Sequence, residues 1–130
     1  MGKSYLTIKK ISAYNKSFDF SNEVWMKVVT WDYFAQDTVG KQFVRYADSV
    51  SANIAEGFGR GGNKEFSNFL TFTVGSANEV QSQLYRALDQ EYITESEFKL
   101  LYEKADEIIR RSGKLIQYLK SSNHRGIKFK

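Results

Sequence analysis

Apolar residues recur along this chain at intervals of three and four, the spacing that gathers side chains on one face of an α-helix. Four such runs follow one another. In the first, Val24, Val28, Trp31 and Ala35 form the stripe, and Trp25 with Val29 widens it. With Ser21 as N-cap and Glu23 in the first turn, this predicts a helix from Ser21 to about Phe34. The link Asp37-Thr38-Val39-Gly40 then leads into a second helix, near Lys41 to Phe58, whose apolar positions are Phe43, Ala47, Val50 and Ile54.

The third and fourth runs are the cleanest. Phe66, Phe69, Leu70, Thr73, Ala77, Val80, Leu84 and Ala87 keep a heptad-like seam, predicting a helix of about 28 residues from Asn63 to Gln90, roughly 42 Å long. Asn63 is its expected N-cap, with Glu65 placed to suit the dipole. Gly75 lies inside it at a cost on the order of 1 kcal/mol relative to alanine, which close approach of a neighbour would offset. Thr94 and Glu97 have the spacing of a capping box, opening a fourth helix along Phe98, Leu101, Ala105, Ile108, Ser112, Leu115 and Leu119. Between the second and third helices, Gly57, Gly59, Gly61 and Gly62 free the backbone to turn. Antiparallel pairing about that corner sets Ala47 against Ser76 and Val50 against Thr73.

The pattern specifies an all-α protein, an antiparallel up-down-up-down four-helix bundle over residues 21–121. The absence of proline agrees with it. Residues 1–20 lack helical periodicity; Tyr5-Leu6-Thr7-Ile8 has strand-like composition, so the segment reads as an extended N-terminal arm that adds to a neighbouring subunit or stays frayed. Residues 122–130 read as a flexible basic tail.

A length of 130 residues suits one domain with a real core. The chain has no cysteine, which removes disulfides and thiolate chemistry and makes the cytoplasm the default location. No apolar run reaches membrane-spanning length, and the N-terminus lacks the long apolar core of a signal peptide. Leu6 stands where a myristoylation signal would have Ser or Thr. The formal charge is +4. Residues 1–20 and 121–130 each carry +3, so residues 21–120 are net −2. The lone histidine, His124, leaves neither a di-metal carboxylate site nor a Ser-His-Asp triad. The glycines fit no phosphate-binding loop. No catalytic, metal or cofactor-binding residue is assigned, no small-molecule substrate is implied, and enzymatic activity is not expected.

Candidate chemistry concentrates between Val50 and Glu79. Asn53, Glu56 and Arg60 form a polar stripe beside Val50 and Ile54. It reads either as register-setting polarity, with Glu56 paired to Arg60 and Asn53 bridging to a neighbouring helix, or as part of a phosphate-contacting set. In the second reading Arg60 joins Lys41, Arg45 and Lys64 as nucleic-acid contacts. The basic last turns of the fourth helix, from Arg110 to Lys120, complement its dipole or meet an anion.

The run Ser51-Ala52-Asn53-Ile54-Ala55-Glu56-Gly57, followed by Arg60, Glu65-Phe66, Phe69-Leu70 and Gly75-Ser76-x-x-Glu79, resembles the signature of the 23S rRNA intervening-sequence (S23) proteins. These are four-helix bundles, and the accessory variability protein of diversity-generating retroelements is similar to them. The resemblance spans roughly Val24 to Leu119. This chain departs from the pattern in its glycine-rich corner after Arg60 and in Phe72-Thr73-Val74 ahead of Gly75-Ser76. The resemblance implies that Asn53, Glu56, Gly57, Arg60, Gly75, Ser76 and Glu79 are motif residues for structure or interface. It further implies a homo-oligomer, a pentamer by analogy, acting as a scaffold for RNA or a nucleoprotein. A protein–protein adaptor that touches no nucleic acid is the alternative, favoured by the net −2 of the central segment.

Overall fold

The predicted seams become helices because each buries a continuous apolar face against its neighbours. The computed structural model describes residues 7–121. Its elements are α1 (Ser12–Val28), the single turn α2 (Tyr33–Ala35), α3 (Lys41–Gly59), α4 (Asn63–Asp89) and α5 (Glu95–Ser121). No strand occurs among the described residues. One core cluster joins Phe20, Val24 and Val28 of α1 to Phe43, Ala47 and Val50 of α3, Ala77 to Ala87 of α4, and Leu101 to Ile108 of α5. A second, at the other end, joins Ile54, Phe58, Phe66, Leu70 and Leu119 to Ile11 and Ala13.

Side-chain bonds fix the directions of the helices. Thr73 Oγ1 donates to the Val50 carbonyl (3.0 Å) and Ser49 Oγ to Ser76 Oγ (2.7 Å), the antiparallel α3–α4 register expected from the glycine corner. Asn63 Nδ2 donates to the Leu119 carbonyl (3.2 Å) and Gln81 Nε2 to Asp106 Oδ1 (2.8 Å), so α5 runs back along α4. Lys27 pairs with Glu97, Lys104 with Glu23 and Lys16 with Glu107, so α1 and α5 are antiparallel too. Ser21 Oγ donates to the Asp48 carboxylate of α3. The bundle alternates direction at every helix.

The first helix corrects the sequence reading. It starts at Ser12, not Ser21, and Ser21 lies buried inside it with its hydroxyl turned to α3 rather than capping a terminus. Residues 12–20 therefore belong to the bundle and not to an arm. A 3₁₀ turn, Ile8–Lys10, precedes them, and Ile11 and Ala13 close the end of the core. The rest of the expected arm, residues 1–6, and the basic tail with His124, residues 122–130, lie outside the described residues.

α1 also ends earlier than expected, at Val28. Trp31 and Ala35 continue its apolar period, yet they are buried across a chain reversal: Trp31 stacks near Phe43 (6.2 Å) and Tyr92 (4.9 Å). Asp32 caps α2 by accepting the Ala35 amide (2.9 Å), and Gln36 Nε2 donates to the freed carbonyls of Val28 and Val29 (3.2 and 3.1 Å). The expected link at 37–40 is instead a π-helical turn, Gln36–Gly40, continuous with α3. Gly40 is required there, since a Cβ would lie 2.7 Å from Val28 Cγ1. Ahead of α5 the capping box forms as read: the Thr94 amide donates to Glu97 (2.9 Å) and the Glu97 amide to Thr94 Oγ1 (3.1 Å).

Candidate functional site

The glycine corner is made by one unusual backbone angle. α3 ends at Gly59, Gly61 takes a φ of +83°, and α4 begins at Asn63. Only glycine adopts that φ without strain. Gly62 occupies the N-cap position and the Asn63 side chain reaches the Leu119 carbonyl, so Asn63 ties α4 to α5 rather than capping.

Around the corner, the motif residues divide by role. Gly57 is a close-approach glycine: a Cβ there would sit 2.5 Å from Phe69 Cβ. Gly75, expected to serve that purpose, is exposed with nothing within 4 Å of an added Cβ. Glu56 and Arg60 pair as the spacing required (Nε to Oε2, 3.2 Å), and the guanidinium also lies over the Phe69 ring at 5.1 Å. Asn53 does not bridge helices; its Nδ2 donates to Ser49 of its own helix (2.8 Å). The inter-helix polar link is Ser49 to Ser76. Glu79 is exposed.

The four expected nucleic-acid contacts are not one patch. Lys41 and Arg45 begin α3, while Arg60 and Lys64 flank the corner beyond its other end. The separation along the helix is about 28 Å. Lys41 is moreover engaged by Asp37 (3.4 Å). Folding assembles a different group. The end of the bundle at the corner comprises residues 7–16, 54–69 and 107–121, with Lys9, Lys10, Lys16, Arg60, Lys64, Arg110, Arg111, Lys114 and Lys120 against Glu56, Glu65 and Glu107, net +6. The opposite end, residues 27–41 and 86–99, is net −2, and the described residues between the two ends are net −4. Lys9, Lys10, Lys16, Arg110, Arg111, Lys114 and Lys120 are the residues the sequence reading did not join to Arg60 and Lys64. Summing charge along the antiparallel register, instead of along the chain, would have found those on α5; those at residues 9–16 lay in the segment read as an arm.

Part of this charge is compensated. Arg111 donates to Glu107 (3.0 Å) and Lys16 lies 3.6 Å away; the Arg111 hydrogen bond, with Lys16 beside it, holds the Glu107 carboxyl below its ordinary range. Lys64, Lys114 and Lys120 are exposed and form no salt bridge among the described residues. Next to Lys64 on α4 is an open groove of about 430 Å³ lined by Arg60, Glu65, Asn68, Phe69, Thr71 and Phe72. Phe72 is 56% exposed and meets Phe69 edge-on at 5.5 Å. At the far end, a groove of about 460 Å³ runs between α1 and α3, walled by Trp25, Val28, Val29 and Val44.

No group of three or more acidic, histidine or cysteine side chains among the described residues is placed to hold a metal. No helix among them is long and apolar enough to cross a membrane.

No curated protein matches the chain. The fold is similar to a 1.70 Å crystal structure of a protein with unknown function from the S23 ribosomal protein family of Bacteroides thetaiotaomicron VPI-5482. The TM-score is 0.72 over 81% of this chain and 98% of that one, at 24% identity. The family described as 23S rRNA-intervening sequence protein matches residues 9–114, a span that takes in α1, the glycine corner and the motif residues of α3 and α4. By that match the chain belongs to the 23S rRNA-intervening sequence protein family.

Proposed function

We propose that the chain is a non-enzymatic, self-associating cytoplasmic scaffold that holds RNA, free or within a nucleoprotein, at the basic end of its bundle. The observation that carries the reading is the segregation of charge, +6 at the corner end against −2 at the other, in a chain whose total is only +4. A clustered set of lysines and arginines is what a phosphate backbone recruits, whereas a whole-chain sum is not. Self-association has separate support: Phe18, Trp25 and Val29 are exposed along one face of α1, an apolar stripe that a second copy would cover. A pentamer, the assembly implied by the resemblance, would set several basic ends side by side.

Binding of the full chain to RNA across a salt titration tests this. Affinity at about 50 mM salt should fall steeply by about 200 mM. Replacing Lys64, Lys114 and Lys120 together by glutamate should remove it, while replacing Lys41 and Arg45 should leave most of it. No binding at low salt, or binding indifferent to salt, would leave the protein–protein adaptor as the better reading.

A further inference from the structure

We infer that the Phe69–Phe72 groove on α4 is a stacking platform for single-stranded RNA, so the basic end selects unpaired bases over duplex. The inference rests on the RNA reading above and specifies the form of RNA that this site takes. Three observations converge. Phe72 projects from a helix surface where most neighbours are polar, with 56% of its area open and its ring edge-on to Phe69. Arg60 is held over the Phe69 ring by its bond to Glu56, so that ring already has a cation on it and Phe72 is the more exposed ring of the two. Asn68 and Thr71 line the same groove and offer hydrogen-bonding groups beside that face.

A base laid on Phe72 gains stacking that every nucleobase can supply, and base edges can pair with the Asn68 amide. The acidic groups in reach are Glu65 in the groove and Glu56 beside Arg60. They disfavour phosphates on the groove floor and so direct the backbone toward Lys64, one residue before Glu65 on the exposed side of α4, and on to Lys120 at the adjoining end of α5. A duplex keeps its bases stacked inward and presents phosphates, 2′-hydroxyls and base edges but no free base face, so Phe72 has nothing to stack on.

The test compares a fluorescein-labelled single strand of about 12 nucleotides with the matching duplex, by anisotropy at low salt, on the full chain. The single strand should bind more tightly than the duplex. Phe72→Ala should weaken the single strand about tenfold and leave the duplex unchanged, and Phe72→Trp should restore it. Because Phe72 is exposed, circular dichroism of the variants should match the parent. Equal affinity for both RNAs, or a Phe72→Ala variant that binds the single strand normally, overturns the platform and leaves the RNA reading standing. Loss of all RNA binding in the parent chain overturns both.

Discussion

Gly57 and Gly75 stand 18 positions apart in the same motif and carry opposite burdens. A methyl group at Gly57 would press on Phe69 Cβ and the Phe66 ring, so Gly57→Ala should destabilise by about 1–3 kcal/mol. At Gly75 the added methyl meets open space in the middle of a helix, so Gly75→Ala should stabilise by up to about 1 kcal/mol. Urea unfolding of the two variants beside the parent checks the pair; the same sign for both would contradict this placement of the helices. Leu101, 1% exposed in the main cluster, should cost about 2–5 kcal/mol when cut to alanine. An unchanged midpoint would mean the seam is misplaced. Most residues buried on α4 and α5 were legible from spacing alone, but Phe69, Phe98 and Leu115 of the expected seams are only half-buried, and Ser67 and Gln81 are buried without an apolar signal. Which glycine is crowded was not legible, since that depends on the side chain of another helix.

At the scale of elements, α1 and α5 are held by a ladder of charge pairs as well as by apolar contact. Lys27–Glu97, Glu23–Lys104 and Lys16–Glu107 recur at intervals that keep them on the shared face. Hydrogen bonds from Lys27 and from the Thr94 amide lower the Glu97 carboxyl below its usual 4.5, as Arg111 and Lys16 do for Glu107. A carboxyl lowered in the folded state lends stability that is complete above its unfolded pKa and is lost as pH falls through the folded value. The urea midpoint should therefore hold from neutral pH down to about 5 and drop below about 4.5, and replacing both glutamates by glutamine should flatten that drop. The N-terminal half of α1 was illegible because its inward residues, Ala13 and Ser17, are small or polar and give no apolar period. Ile11 anchors that half in the second core cluster, so Ile11→Ala should cost about 2–4 kcal/mol although it precedes the helix. The early end of α1 was hidden for the converse reason: Trp31 and Ala35 keep the apolar beat while the chain turns.

For the whole molecule, four amphipathic faces close on one another and a further apolar stripe on α1 stays open. Phe18, Trp25 and Val29 recur at seven and four on that face. If copies meet there, a mass measurement in solution should give a discrete oligomer, five chains by the family likeness, and Trp25→Glu should shift it toward monomer. A monomer for the parent chain would refute the scaffold. The bundle itself could be read from the sequence because each helix reports its own inward face. The basic end could not, because its cations come from three stretches far apart in sequence and are united only by antiparallel packing.

The unequal ends of the bundle give the molecule a lasting electric moment along its longest axis. Near any polyanion that moment turns the corner end forward before contact, so the encounter begins already aimed and its speed should decline as ions are added. The acidic cap, with Tyr33 and Phe34 on its rim, would then point away from the nucleic acid, outward and available.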